Sequence, residues 1–262
     1  MQVRAKKYLG QHFLTNQGIA QRIVDALAVN DIECPRANVI EVGCGMGVLT
    51  KYLLERKDIL LKGIEIDTES IEYLRENFSS FAPNLYEADF LKIDLRKVFP
   101  EGDIHIIGNF PYNISSQIFF KVLDCKEYVP QVVGMLQREV AQRIASPCGN
   151  KDYGILSVLL KCWYDNEYLF TVGEGEFSPP PKVKSAVVRL NRNSRSELPC
   201  PWPVFKNVVK SAFNHRRKTL RNSLKSITAD VPERFASLRP EQLSVEDFIV
   251  LATEIYLNSA AE

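Results

Sequence analysis

A short strand, Val39-Ile40-Glu41-Val42, opens directly into Gly43-Cys44-Gly45-Met46-Gly47, and Leu49, Leu53 and Leu54 then recur at helical spacing. Strand, glycine-rich turn and helix N-terminus in succession form a cradle where backbone approaches a nucleotide closely. That order points to an α/β fold around a parallel sheet, the class in which ligands gather at the carboxyl ends of the strands. The glycine spacing is G-x-G-x-G; the dinucleotide fingerprint needs glycine at 48, where Val48 stands. A nucleoside-bearing cofactor without a pyrophosphate therefore fits the turn better than NAD.

Three further strand ends repeat the theme. Residues 60–67 read as a strand with an acidic tip, Glu65 placed to hydrogen-bond both ribose hydroxyls and Asp67 to cap the helix through Ile71 and Leu74. Residues 85–90 offer a strand with Asp89 at its end, suited to accept from an adenine amino group. The apolar run from Ile104 then leads into Asn109-Phe110-Pro111-Tyr112, a side-chain amide, a rigid turn and an aromatic at a fourth strand's end. The Asn109 side-chain carbonyl and the Phe110 backbone carbonyl can both accept from one exocyclic –NH2 while Tyr112 stacks on the ring. An ordinary Asn/Pro turn would look the same in isolation. The glycine turn, Glu65, Asp89 and Asn109 at four successive strand ends are far more specific together than any one alone.

The remaining chain adds context. Basic residues Arg4, Lys6 and Lys7 make an N-terminal arm over 1–10, followed by Gln11 and His12. Both can face a ligand, although His12 reads at least as well as a surface histidine. Thr15 or Asn16 can cap a helix through Ile19, Ile23, Val24 and Leu27. After Tyr112 come a helix through Ile118, Phe119 and Val122, a strand over 132–136, helices over 138–144 and 156–164, and late strands over 168–173 and 183–190. Between the last two, Phe177-Ser178-Pro179-Pro180-Pro181-Lys182 reads as a stiff extended segment that cannot enter a sheet. Phe177 either flanks a bound base opposite Tyr112 or belongs to a plain connector.

Composition shifts at 191–203, which places a linker there between a cofactor-binding domain over 1–190 and a helical domain over 204–262. Within 204–225, Lys206, Lys210, Arg216, Arg217, Lys218, Arg221 and Lys225 occur with no acid, and a break in the helix is expected near Asn214. On a chain whose net charge is only +1, so one-sided a stretch points to phosphate contacts with RNA or DNA. Ser244 and Asp247 can cap a last amphipathic helix. The six cysteines (34, 44, 125, 148, 162, 200) form neither a C-x-x-C pair nor a Cys/His cluster, which predicts reduced thiols and no metal site. With neither an apolar run that could span a bilayer nor a secretory signal, a cytoplasmic protein is expected, with no membrane partner.

Five motifs taken in order, Gly10-Gln11-His12-Phe13-Leu14, Glu41-Val42-Gly43-Cys44-Gly45-Met46-Gly47, Asn109–Tyr112, Phe177-Ser178-Pro179-Pro180-Pro181-Lys182-Val183 and Phe213 through Arg216-Arg217-Lys218-Thr219-Leu220-Arg221-Asn222, resemble the ribosomal RNA adenine dimethyltransferases over nearly the whole chain. The resemblance implies a class I, Rossmann-like methyltransferase domain that binds S-adenosylmethionine, with a small all-helical C-terminal domain. It also implies dimethylation of N6 on each of two adjacent adenosines near the 3′ end of 16S rRNA in the small ribosomal subunit, during late subunit biogenesis, by a monomer. By matching positions, cofactor contacts fall on His12, Leu14, Gly43, Gly45, Glu65, Asp89 and Asn109. Chemistry falls on Asn109, Phe110, Pro111 and Tyr112, with Phe177 beside them, and RNA contacts on Lys206, Lys210, Arg216, Arg217, Lys218 and Arg221. His12 departs from the Asn common in relatives, and Phe110 from the commoner Leu. The sister branch that methylates 23S rRNA and confers macrolide resistance generally lacks the Pro-Pro-Pro-Lys-Val run together with the Arg-Arg-Lys-Thr-Leu-Arg-Asn stretch; both are present here. An RNA-binding assembly factor with incidental methylation is the alternative from another class.

Overall fold

The computed structural model describes residues 3–29, 36–215 and 217–261. Nine strands are β1 (Phe13–Leu14), β2 (Ala37–Val42), β3 (Ile59–Glu65), β4 (Leu85–Glu87), β5 (Ile104–Asn109), β6 (Gln131–Gln137), β7 (Tyr164–Val172), β8 (Phe177–Ser178) and β9 (Ser185–Arg192). Seven of them form one sheet in the order β4-β3-β2-β5-β6-β9-β7. From β4 to β6 all pairings are parallel, and β9 runs antiparallel to β6. The order reverses between β2 and β5, so the crevice outside their carboxyl ends is the switch point where open α/β sheets bind ligands. Helices α1 (Gln17–Asp25), α2 (Val48–Glu55), α3 (Thr68–Asn77), α4 (Leu95–Val98) and α5 (Ser115–Asp124) lie between the parallel strands or before them. Asn16 caps α1 by accepting from the Ile19 N–H at 3.1 Å.

β5 and β6 are buried along nearly their whole length, which explains why they read as continuous apolar runs. Val39, Ile107, Val133 and Val187 of the sheet pack with Ile23 of α1, Leu53 of α2 and Leu74 of α3 in one core. Each such side chain withdrawn from water contributes roughly 1.5–3 kcal/mol.

The chain divides into two compact units, Met1–Ala141 with Asn166–Arg192, and Gln142–Asp165 with Asn193–Glu262. The expected single boundary at 191–203 gives way to a discontinuous division, because residues 142–165 cluster with the C-terminal helices. That segment holds the end of α6 (Arg138–Ala145) and all of α7 (Ile155–Lys161), and α7 packs on α8 (Trp202–Asn214). The expected helix over 156–164 is therefore shorter, and Tyr164 already begins β7. In the second unit Phe213 stacks on Phe248 (5.7 Å) and meets Tyr153 edge-on (6.1 Å). Beyond α8 the chain turns at His215 and resumes as α9 (Leu220–Ser223), then α10 (Glu233–Ala236) and α11 (Val245–Ala261). Ser244 and Asp247 form a reciprocal cap, the Asp247 N–H donating to Ser244 Oγ at 3.1 Å and the Ser244 N–H to Asp247 Oδ2 at 2.9 Å.

The proline-rich segment departs from expectation. Phe177 and Ser178 do enter a sheet, pairing antiparallel with β1 through Leu14↔Phe177 and Phe13↔Ser178. The missing N–H donors belong to Pro179, Pro180 and Pro181; the two residues before them keep theirs.

Candidate active site

Gly43, Gly45 and Gly47 all take positive φ (72°, 55° and 77°), a conformation costly for other residues, and so fold the chain back under the N-terminus of α2. The turn aims the Gly45 N–H at Glu65 Oε2 (2.9 Å), while the Ile66 and Asp67 N–H groups donate to Oε1 at 2.8 and 2.9 Å. Burial raises the Glu65 carboxyl above its ordinary value, and these three N–H groups work against that shift. Glu65 is thus a fixed carboxylate at the tip of β3, beside the glycine turn. One strand over, Glu41 is fully buried and accepts from the Thr50 hydroxyl at 2.6 Å. Burial pushes its carboxyl up to about 8, with the Thr50 hydroxyl pulling the other way. Asp89 lies past the end of β4, its Oδ1 accepting from the Leu91 N–H at 2.9 Å.

At the end of β5 the Asn109 amide donates through Nδ2 to the His12 carbonyl at 2.9 Å. That bond fixes which end of the amide is nitrogen and leaves Oδ1 with no donor among the described residues. The next residue turns its ring inward. Phe110 is fully buried, T-shaped on Phe119 (5.8 Å), and its N–H donates to the Met135 carbonyl at 2.9 Å. The ring occupies the space over Gly134, where a Cβ would lie 2.3 Å from it. With the side chain anchored there, the Phe110 carbonyl has no donor among the described residues. Tyr112 presents its ring 5.2 Å from that of His12, and its hydroxyl bonds the Ser185 hydroxyl. Burial raises the Tyr112 phenol above its ordinary value. His12 Nδ1 sits 2.8 Å from the Pro179 carbonyl, so Nδ1 carries the hydrogen.

His12, Leu14, Gly43, Gly45, Glu65, Asp89, Asn109, Phe110, Pro111 and Tyr112 line a single cleft. Phe177 does not. Its side chain is 4% exposed and packs in the core with Leu14 and Val172, so in this arrangement it cannot flank a base opposite Tyr112. The β1·β8 pairing turns it inward. Asp67 stands at the N-cap position of α3, but no helix N–H donates to its side chain. Instead it accepts from Ser70 (2.7 Å), Gln11 (3.2 Å) and Lys6. Burial raises this carboxyl, but Lys6, Ser70 and Gln11 outweigh it and hold it below its ordinary value. Ser185 is the contact that sequence reasoning missed, and nothing in the chain signalled it. Gln11, expected to face a ligand, lines the cleft and also bonds Asp67.

In the second unit Arg217 and Lys218 are exposed in the turn after α8, while Arg216 lies outside the described residues. Arg221 grips Glu233 through Nη2 at 2.7 and 2.9 Å, and both partners are exposed. Such a pair is worth only about 0–1 kcal/mol, little enough for a phosphate to replace the carboxylate. Lys206 lies 5.8 Å from the Trp202 ring, and Lys210 is on the same helix α8. Among the described residues there is no cluster of His, Cys, Asp and Glu able to hold a metal, and no helix is long and apolar enough to cross a membrane.

Over residues 2–244 the chain matches the family described as Ribosomal RNA adenine dimethylase. The chain belongs to that family. It is 56% identical over 256 residues to the Ribosomal RNA small subunit methyltransferase A of Porphyromonas gingivalis, covering 96% of this chain and 97% of that one. Among solved structures it is similar to a dimethyladenosine transferase from Plasmodium falciparum (TM-score 0.77, 26% identity, 95% and 98% coverage). It is also similar to the 23S rRNA methyltransferase ErmE (TM-score 0.66, 26% identity, 93% and 99% coverage). Membership makes the chain an S-adenosylmethionine-dependent adenine dimethyltransferase with the class I α/β fold expected from its motifs. The residues present suit that cofactor: a positive-φ glycine cradle, a fixed carboxylate one strand over for ribose hydroxyls, and the exposed apolar Ile66 beside it for an adenine face.

Proposed function

We propose that the chain dimethylates N6 of two adjacent adenosines near the 3′ end of 16S rRNA in the small ribosomal subunit, and that Asn109, Phe110 and Tyr112 carry the chemistry. The observation that supports this most is the Asn109 amide, tied through Nδ2 to the His12 carbonyl so that Oδ1 is left without a donor among the described residues, at a residue that lines the cleft together with Phe110. Two acceptors match the two hydrogens of the unmethylated exocyclic amine, and either one can accept the single N–H left after the first transfer.

The N6 lone pair of adenine is delocalised into the ring and is a poor nucleophile. Accepting both N6 hydrogens at Asn109 Oδ1 and the Phe110 carbonyl favours the pyramidal amine, whose lone pair is free to attack. When bound, S-adenosylmethionine supplies an electrophilic methyl on a sulfonium. Both acceptors are held by bonds to the rest of the protein before substrate arrives, so they reorganise little during reaction, which is where preorganised dipoles gain their advantage. Tyr112 stacks on the extruded base, a contact worth about 1–3 kcal/mol. Glu65 holds the cofactor ribose, Asp89 its adenine amino group, and the backbone around Gly43 and Gly45 approaches the rest. Arg217, Lys218 and, by exchanging Glu233 for phosphate, Arg221 contact rRNA together with Lys206 and Lys210.

The relatives named for the small subunit, at 51–56% identity, favour that substrate over the large-subunit RNA of ErmE at 26%. Methyl transfer from labelled S-adenosylmethionine to small subunits lacking the two dimethyladenosines tests the reading. Label is expected on N6 of the paired adenosines near the 3′ end. Label confined to large-subunit RNA would overturn it, and binding without transfer would turn the chain into an assembly factor.

A further inference from the structure

Tyr8 is 74% exposed, more than any other large apolar side chain described. Its backbone is nonetheless firmly held. It sits in a 3-10 turn over Lys7–Leu9, closed by the Gly10 N–H donating to the Lys7 carbonyl at 3.0 Å with Gly10 at φ 66°. Asn113 Nδ2 donates to the Tyr8 carbonyl at 2.9 Å, and a Cβ at position 10 would lie 2.8 Å from Asn113 Oδ1, so turn and side chain are in direct contact. Upstream, Lys6 bonds Asp67 and pairs with Glu69 at 3.3 Å, and its N–H donates to Gln11 Oε1 at 2.9 Å. Asn113 directly follows Tyr112, and Leu9, Gly10 and Asn113 line the same cleft as Asn109. An aromatic ring is thus held in water at the rim of the site by a backbone fastened from both sides. Ahead of it in the chain, the exposed Arg4 and Lys7 side chains have no carboxylate partner among the described residues. Nothing in the fold uses this ring, because its packing stabilises no core.

We propose that Tyr8 is a stacking platform for the nucleotide next to the extruded adenosine, with Arg4 and Lys7 meeting the adjoining phosphates. The proposal rests on the RNA reading of the site above. Extruding one base leaves its neighbour in the strand with an unstacked face. A fixed ring at the mouth of the cleft replaces the missing stacking partner, and the cations of the same N-terminal segment hold the backbone that joins the two nucleotides. Where the substrate is a pair of adjacent adenosines, the same ring holds the second while the first is methylated.

The test compares Tyr8→Ala and Tyr8→Trp with the wild type in methyl transfer to unmethylated small subunits, with S-adenosylmethionine affinity read by calorimetry. Tyr8→Ala is expected to raise KM for subunits about tenfold, the lower part of the range for one stacked base, with cofactor affinity and melting temperature kept. Tyr8→Trp is expected to restore KM. An unchanged KM in Tyr8→Ala, or a loss of cofactor affinity and melting temperature equal to the loss of activity, would overturn the platform. If the wild type transfers nothing to subunits, the functional reading fails while the platform is still decided by fluorescence. Added oligoribonucleotide should quench the Tyr8→Trp protein beyond any change that it causes in the wild type, whose tryptophans are shared by both. Equal quenching of the two proteins refutes stacking at this position.

Discussion

At the rim of the sheet, polar groups are tied to the protein before any ligand arrives: Asn109 to His12, Glu65 to three backbone N–H groups, Glu41 to Thr50. In the turn after α8, by contrast, Arg217 and Lys218 stand in water, and Arg221 is engaged only by an equally exposed Glu233. The first arrangement acts by geometry among buried and half-buried groups, where each group's protonation and orientation decide what can react. The second acts by charge that solvent and salt screen. Position and pH should therefore perturb the rim, and ionic strength the basic turn.

The sharpest way to break the contrast is at Asn109. Replacement by Ala removes one of two amine acceptors and leaves the His12 carbonyl without its donor, at a position that is only half-buried. Transfer is expected to fall by about 10²–10³-fold, by analogy with removal of one preorganised electrostatic donor, while S-adenosylmethionine affinity and melting temperature stay close to wild type. Single-turnover methylation with saturating subunits measures it. Turnover within a few-fold of wild type would show that geometry at this amide is not what drives the reaction.

The next largest effect concerns pH. In the unfolded chain Glu41 titrates at about 4.3, whereas in the fold burial pushes it up to about 8. Between those values the unfolded chain has released a proton that the folded chain still holds, so stability falls as pH rises. The contribution is fully present below the unfolded value and lost once pH passes the folded one. Glu41→Gln keeps an acceptor for Thr50 but cannot titrate. Denaturant unfolding at about pH 5 and about pH 8 should show wild type losing roughly 3 kcal/mol more than the variant over that interval. Parallel pH profiles would mean that Glu41 reaches solvent enough to ionise freely. Glu65, also raised by burial, slopes the same way in both proteins and cancels from the comparison.

These two sites differ in how far the chain alone announces them. Gly43, Glu65, Asp89 and Asn109 were legible because each strand end carries a local mark, and a parallel sheet brings such ends to one edge without further information. The pairing of Phe13–Leu14 with Phe177–Ser178 was not, since it joins segments far apart in the chain through two residues apiece. Reading the prolines' missing donors onto the residues before them hid that pairing, and with it the burial of Phe177. The same distance hid the Tyr112–Ser185 bond. Residues 142–165 read as a continuation of the sheet domain because nothing in their composition marks the packing of α7 on α8. Local chemistry was readable; partners chosen by tertiary contact were not.

The smallest effect is the one that salt should expose. Reversing Arg217 and Lys218 to Glu touches no core side chain, so melting temperature and S-adenosylmethionine affinity should be kept. Each phosphate left without its cation should flatten the slope of log affinity against log salt by about 0.7–0.9, so the pair should flatten it by somewhat under two. Affinity for small subunits should then drop several-fold at low salt, with the defect shrinking as salt rises until variant and wild type converge. Asn109→Ala should show the opposite pattern, with a defect that salt leaves untouched. Parallel salt slopes for the double reversal and the wild type would place the phosphate contacts elsewhere on the chain. The exposed Arg4 and Lys7 beside Tyr8 are the next cations to reverse, because they too lack carboxylate partners among the described residues.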